Sequence, residues 1–306
     1  MKISAMKIKK TLIYLFLAVF TFIQIFPFYW LVTFSFKSNT EIFDSNNLVG
    51  LPKVWHLENF SKALMGGEIL RYLLNSVFYA AVTVVVSTLL ASMVAYAINR
   101  MYWKAKGIVA AIFSLGIMIP VQATLLPLFQ GLDRLGIRGG YLGLMLPYIT
   151  FAMPIPGLII GRIILKNILK ILHPYITFAM PMTVMILGGF FKALPREIEE
   201  AACIDGCNIF NMFFRIIFPM IRPGIATSCI FAFLNTWNEL LFANTFVDDA
   251  KYKTLPVGIM SFVGEHSTNW GIIGAGMVIA TLPTVLIYLL LSKQVQESFT
   301  VGAVKG

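Results

Sequence analysis

Long uninterrupted apolar stretches restrict the fold of this chain more than any other feature. The first runs from Thr11 to Phe36, and comparable stretches recur as far as residue 292. About 20 helical residues cross the roughly 30 Å of hydrocarbon in a bilayer, and only helices or closed barrels satisfy their backbone polar groups there. Continuous apolar runs, rather than alternating ones, favour helices. We therefore predict an all-α, polytopic transmembrane helical bundle.

The composition agrees with this and offers no reason to expect nucleic acid binding. Hydrophobic residues make up 58% of the 306 residues, charged residues make up 12%, and the net charge is +10. In a membrane protein Lys and Arg collect in cytoplasmic loops, which accounts for that charge. Cys203, Cys207 and Cys229 indicate neither a disulfide framework nor a metal site. The basic start and the long first stretch predict a retained span, not a cleaved signal peptide.

The apolar segments predict about six spans in a single domain, 1–306, with a core of about 71–292 and both ends cytoplasmic. Five of them cover residues 11–36, 72–98, 108–130, 223–246 and 271–292, and the fourth in order lies within 147–181. Pro120 and Pro127 are expected to interrupt the third. The loops 99–107, which includes Arg100, and 192–222 carry Lys and Arg and are predicted to be cytoplasmic.

A duplication complicates the fourth span. The sequence Pro147–Pro154 recurs identically as Pro174–Pro181. If both copies crossed the membrane, the loop 192–222 would lie outside, so we expect only one copy, or a composite, to span. The stretch Ile155–His173 between them is predicted to be an amphipathic interfacial segment whose basic residues are Arg162, Lys166 and Lys170.

The loop 192–222 has an ordered motif. Glu197, Glu199 and Glu200 follow Pro195, and acidic side chains suit the first turn of a helix, where the macrodipole is positive. Gly206 is suited to the left-handed conformation that ends a helix. Beyond it, helical spacing predicts one amphipathic face made of Phe210, Phe213, Phe214 and Ile217.

The spacing of Glu200-Ala201-Ala202, Gly206, Ile216 and Pro219 resembles the EAA loop of binding-protein-dependent ABC importer permeases. Phe218 stands where that family usually has Leu. The resemblance implies that this loop is a cytoplasmic coupling helix that docks in a groove of an ATPase subunit. The coupling residues it implies are Glu199, Glu200, Ala201, Ala202, Asp205, Gly206, Ile216 and Pro219.

A polar cluster lies within the fifth predicted span, at Asn235, Trp237, Asn238 and Glu239. Ionisable groups at membrane depth usually face a cavity or a partner. Asn235, Asn238 and Glu239 are spaced to share one helical face, and amides and indoles suit sugars. Contact with the substrate path, interhelical contact with a partner permease, and capping of a helix break all remain open.

Further segments resemble the maltose-type carbohydrate permeases, among them Ser35-Phe36-Lys37, Asn75-Ser76 and the tail Gly302–Gly306. The resemblance implies a multi-pass protein of the bacterial cell membrane (inner or plasma membrane) that assembles with a second homologous permease, two ATPase subunits, an extracytoplasmic solute-binding protein and membrane lipid. The implied solute is an oligosaccharide or a related polyol or sugar phosphate. The chain has no phosphate-binding loop and no catalytic or metal-binding motif, so we expect no cofactor and no enzymatic activity. A non-sugar solute and an ion-driven secondary transporter are the alternatives.

Overall fold

The computed structural model of the chain describes residues 2–65, 68–116, 118, 120–151, 181–263 and 268–303. Its helices in chain order are α1 Lys2–Ser35, α2 Asn39–Ile42, α3 Glu58–Met65, α4 Ile69–Arg100, α5 Lys106–Gly116, α6 Leu125–Arg134, α7 Tyr141–Phe151, α8 Pro181–Ala193, α9 Glu197–Ile204, α10 Ile209–Met220, α11 Arg222–Trp237, α12 Leu241–Phe246, α13 Leu255–Met260 and α14 Trp270–Ala303. Within these ranges the only β pairing is an isolated bridge between Val263 and Thr268. The prediction of an all-α membrane bundle is confirmed.

Among the residues that the structure describes, three helices are long and apolar enough to cross a membrane on their own. They are Lys9–Ser35 of α1, all of α4, and Trp270–Gln296 of α14. The helices α10 and α11 pass the same test as a pair, but they are bent by 80° at the break between them. The apolar parts of α5 and α8 are shorter. The described residues thus contain three such helices, or four if the bent pair is one span, and the total of six spans stays a prediction.

The predicted third span is two helices rather than one. After α5 the chain makes a short 3-10 turn, Val121–Thr124, that begins directly after Pro120, and α6 follows. The expected interruption at Pro127 is wrong. This residue lies in the first turn of α6, where a backbone N–H has no helical acceptor, so proline is tolerated there.

The duplicated stretch is described only at its edges. Pro147 lies inside α7 and Pro181 begins α8. The predicted interfacial segment Ile155–His173, with Arg162, Lys166 and Lys170, lies outside the described residues.

The chain forms two compact units, of which the first comprises Met1–Leu70 and Gly258–Leu282. Within it, the buried Asn59 donates from its amide to the carbonyl oxygens of Ser35 (2.9 Å) and Lys37 (3.1 Å), which fixes the end of α1. The large apolar side chains between Leu12 and Tyr29 are exposed, so lipid or another subunit must cover this helix in a membrane.

The second unit comprises Arg71–Val257 and Pro283–Gly306. Two buried clusters lie along α4. The Tyr96 cluster includes Tyr96, Phe191, Ala202, Phe213 and Ile217. The Tyr79 cluster includes Tyr79, Leu132, Leu144, Tyr148 and Phe246. At the rise of an α-helix the two tyrosines are about 25 Å apart along α4, so this helix organises the unit at two levels.

Candidate functional site

The predicted coupling motif forms a short helix, α9. Glu197, Glu199 and Glu200 all lie in its first turn, as predicted. Ala202 is buried in the Tyr96 cluster, whereas Glu200, Ala201 and Ile204 are exposed. The helix therefore has one face against the protein and one that is open.

Gly206 ends this helix in the way the sequence predicts. Its φ is +74°, in the left-handed region, and its N–H donates to the carbonyl of Cys203 at 3.0 Å. The next N–H, of Cys207, donates to Ala202 at 2.9 Å. These bonds satisfy carbonyls at the helix end that would otherwise lack a donor. Asp205, immediately before the glycine, is exposed.

Arg100 binds α9 on the side that faces the rest of the protein. Its Nη2 lies 2.8 Å and its Nε 3.0 Å from Oε2 of Glu199. The same guanidinium donates to the carbonyls of Phe191 (3.3 Å), Leu194 (3.1 Å) and Pro195 (3.1 Å). The exposed fractions of the Arg100 and Glu199 side chains are 5% and 16%. A planar guanidinium suits several acceptors at once, and here it compensates a largely buried carboxylate.

This role of Arg100 was not predicted from the sequence, in which the residue is one of several cations of the predicted cytoplasmic loop 99–107. In the structure it is the last residue of α4. The partner, Glu199, is 99 positions away in sequence. Only the position of Arg100 at the end of an apolar run, where a charge needs a partner, hinted at the contact.

The predicted amphipathic face after Gly206 is wrong in part. Phe213 and Ile217 are buried, but Phe210 and Phe214 are exposed. Residues Met212–Ile217 form a π-helical turn, whose i→i+5 bonding widens the helix and spreads its side chains over a broader arc. The four residues therefore do not share one buried face. The motif residues Ile216 and Pro219 lie in the same segment and are half-buried.

The polar cluster in the predicted fifth span lies at a helix break. α11 ends at Trp237 and α12 begins at Leu241. The Glu239 carboxylate accepts the backbone N–H of Phe242 (2.8 Å) and of Ala243 (3.0 Å), and Oε2 also accepts the hydroxyl of Tyr148 (2.8 Å). The span is therefore not continuous over 223–246, because this carboxylate caps a new helix within it.

The break also corrects the expected arrangement of the polar side chains. Glu239 does not share a helical face with Asn235 and Asn238, since the helix has ended before it. Asn235 and Asn238 are exposed, and the Asn238 amide donates to the carbonyl of Leu234 at 3.0 Å. Trp237 is buried, with its ring 5.2 Å from that of Phe233. Helix capping, one of the three open interpretations, thus describes Glu239.

Trp237 also lines an apolar cavity of about 490 Å³ between α4, α11 and the later part of α14. Its other walls include Val84, Cys229 and Leu286. Hydroxyl-rich solutes lose their hydrogen bonds to water in such surroundings. This cavity is therefore unsuited to a sugar.

Asn75 and Ser76, near the start of α4, contact a segment far away in sequence. The Asn75 amide donates to the carbonyls of Lys251 and Lys253, each at 2.9 Å, and Ser76 Oγ accepts the N–H of Leu255 at 2.8 Å. The Tyr79 hydroxyl donates to the carbonyl of Tyr252 at 3.1 Å. These contacts fix the chain between α12 and α13 onto α4.

Comparison with known proteins agrees with this architecture. Residues 84–301 match the family described as binding-protein-dependent transport system inner membrane component. The probable ABC transporter permease protein YurM of Bacillus subtilis is 32% identical over 98% of this chain and 90% of its own length. The trehalose/maltose transport system permease protein MalG of Thermococcus litoralis is 29% identical, over 98% of each.

A solved structure supports the fold. The chain resembles, with a TM-score of 0.72 and 18% identity, a chain of a bacterial ABC transporter involved in the import of the acidic polysaccharide alginate, over 94% of this chain and 96% of that one. The family consists of membrane-embedded transport components and not of enzymes. This chain belongs to the family of binding-protein-dependent transport system inner membrane components.

Proposed function

We propose that this chain is one of two homologous permease subunits of an ATP-driven importer for a carbohydrate. An oligosaccharide, or a related polyol or sugar phosphate, is the solute class, supported by the relative named as a trehalose/maltose permease. We assign ATP hydrolysis to two separate ATPase subunits and solute delivery to an extracytoplasmic binding protein. The permease itself contributes the path through the membrane and the contact that couples it to ATP.

The observation that carries this proposal is the two-sided environment of α9. Its inner side is fixed by Ala202 in the Tyr96 cluster and by the pairing of Glu199 with Arg100. Its outer side presents Glu200, Ala201 and the 87%-exposed Ile204. A helix that is held from behind and has small and apolar residues in front suits insertion into a groove of another protein. We infer that this groove belongs to the ATPase subunit and that Asp205, Gly206, Ile216 and Pro219 shape the end of the docking loop.

We further propose that Asn235 and Asn238 face the solute path. Both side chains are exposed next to the break in α11, and amides exchange hydrogen bonds readily with hydroxyl groups. Glu239 contributes by fixing the break, and Trp237 by packing beneath it. Contact of the two asparagines with the second permease is the competing interpretation.

The docking proposal is tested with Glu200→Lys in the permease co-expressed with its native partner subunits. We expect the amount of co-purified ATPase and the uptake of labelled maltose or trehalose each to fall about tenfold, a change of about 1.4 kcal/mol in association. Glu58→Lys is the matched control, because Glu58 is an exposed carboxylate in the other unit. Normal co-purification with normal uptake in the Glu200 variant would refute the docking role.

A further inference from the structure

The helix α4 is attached to other parts of its unit near both ends. At its last residue, Arg100 binds Glu199 of α9 and the carbonyls of Phe191, Leu194 and Pro195. Near its start, Asn75 and Ser76 bind the backbone of Lys251, Lys253 and Leu255. The same helix therefore contacts both the coupling region and the segment Lys251–Leu255.

Both attachments are protected from water. Asn75 is 5% and Ser76 is 4% exposed, and the Arg100 side chain is 5% exposed. Water cannot readily replace hydrogen bonds in such places, so separating the partners leaves buried polar groups unpaired. Oε1 of Glu199 is itself buried without a hydrogen-bond partner among the described residues, so the Arg100 guanidinium at Oε2 supplies the charged hydrogen bonds to this carboxylate.

The helix between the attachments lacks the two residue types that break helices most often. α4 is 32 residues long and contains neither proline nor glycine, whereas the other two long apolar helices contain Pro27 and Pro283. Sharp kinks in helices occur almost always at such residues, at π-bulges or at inserted side chains. Asn75 and Arg100 are about 38 Å apart at the helical rise per residue, a distance comparable with the thickness of a bilayer.

Aromatic packing reinforces each end. Tyr96, one turn before Arg100, lies 5.3 Å from the ring of Phe213 and 5.6 Å from that of Phe191. Tyr79, one turn after Asn75, lies 5.7 Å from the ring of Tyr141. At the Arg100 end, polar and aromatic contacts share Phe191 and the ring of Phe213 is added, whereas at the Asn75 end the ring of Tyr141 is added to the contacts with Lys251–Leu255.

We propose that α4 is a rigid strut, in which Arg100 and Asn75 are positioning residues that make α9 and the segment Lys251–Leu255 move as one body with it. Rigid-body movement of packed elements is a common way to carry a small shift at one interface to a distant one. The proposal rests on the proposed docking of α9 for its functional meaning. It assigns to α4 the transfer of an ATPase-driven movement from one side of the membrane to the other.

The test measures the distance between the two attached segments by electron paramagnetic resonance. Spin labels are placed at Glu197→Cys, an exposed position in the first turn of α9, and at Ala250→Cys, in a background in which Cys203, Cys207 and Cys229 are replaced by alanine or serine. The full complex is measured without nucleotide and after trapping with ATP and vanadate. We expect one narrow distance distribution, unchanged between the two states.

Two variants should break the strut and two should not. In Arg100→Met and Asn75→Leu we expect a broader distribution that shifts between states, with ATPase still co-purifying and uptake falling about tenfold. Lys104→Met and Asn244→Leu, at exposed positions, are the matched controls and should keep the parental distribution. If Arg100→Met does not fold, Arg100→Lys retains the charge without the planar fork, and we expect it to broaden the distribution to a lesser extent.

Either of two results would overturn the strut: a state-dependent distance in the parent, or a parental distribution in both the Arg100 and Asn75 variants. Failure of the docking proposal would look different, because the Glu200→Lys variant would then keep normal ATPase co-purification and normal uptake. In that case the permease alone in lipid nanodiscs still tests the strut, since the parent should give a narrow distribution and the variants a broad one.

Discussion

Gly206 and Glu239 both lie where a helix ends, but they shape the chain by different physical means. Gly206 acts through its own backbone at φ +74°, and apart from its two chain neighbours no heavy atom of the described residues lies within 4 Å of the place where a Cβ would stand. Glu239 acts through its side chain, which caps α12 while Tyr148, 91 positions earlier, donates to it. The end of α9 at Gly206 therefore depends on local backbone conformation, whereas the cap of α12 by Glu239 depends on tertiary structure.

This difference predicts how each position responds to substitution. A local turn needs only a residue that tolerates the backbone conformation, so side chains that adopt it should be accepted. A carboxylate shared by three donors cannot be replaced by any apolar side chain without leaving those donors unpaired. The largest effects on stability are therefore expected at the helix break rather than at the coupling turn.

The substitution Glu239→Leu should have the largest effect. It removes the acceptor of two backbone N–H groups, of the buried Phe242 and Ala243, and of the Tyr148 hydroxyl. Hydrogen bonds to charged groups contribute about 1.5–3 kcal/mol each, and three that share one carboxylate do not add fully, so we expect a loss of about 3–5 kcal/mol. Thermal unfolding of the purified protein in detergent measures it.

The neighbouring Asn238→Leu is the control for that experiment. Its side chain is exposed and makes one hydrogen bond, to the carbonyl of Leu234, so its effect should be about 1 kcal/mol or less. If both variants unfolded at the same temperature, the capping role of Glu239 would be excluded.

Tyr148→Phe separates the long-range part of the cap from its local part. The phenylalanine ring keeps the packing in the Tyr79 cluster but loses the hydroxyl that donates to Glu239 at 2.8 Å. We expect a loss of about 1.5–3 kcal/mol, because the carboxylate keeps its two backbone donors. In the double variant with Glu239→Leu the two losses should be clearly less than additive, and full additivity would show that the residues act independently.

The same contrast explains how much could be predicted from sequence. The acidic first turn of α9 and the left-handed Gly206 depend on residues within one short stretch, and both predictions were confirmed. The pairing of Arg100 with Glu199 and of Tyr148 with Glu239 joins residues that only the fold brings together. Helical spacing placed Asn235 and Glu239 on one face because it assumed a continuous helix. Spacing alone does not show that the helix stops at Trp237 or that the carboxylate caps a second helix.

The stability lost on substituting Gly206 should depend on how readily the new residue adopts the left-handed conformation, more than on the size of its side chain. Gly206→Val forces a β-branched residue into the left-handed region, which costs about 1–2 kcal/mol. Gly206→Asn adds a side chain at the same place but adopts this conformation more readily, so its loss should be smaller. Melting temperatures in detergent compare the two variants, and uptake should fall further for valine, since a displaced turn misplaces the outer face of α9. Equal losses for the two would mean that space, not backbone conformation, decides the position.

Of the substitutions considered, Asn235→Cys should lower stability the least. It also gives the most direct information about the solute path. The side chain is exposed near the end of α11, so its replacement should change unfolding by about 0.5 kcal/mol or less. In the assembled transporter, with the three native cysteines replaced, a water-soluble maleimide should label position 235 at a rate that changes when ATP and vanadate are added. Ser228→Cys is the control, because this small side chain of α11 is 0% exposed and a thiol of similar size in its place should stay unlabelled in both states. Labelling of position 235 by lipid-soluble reagents alone would place it against the bilayer, whereas protection from both kinds of reagent in both states would favour a contact with the second permease.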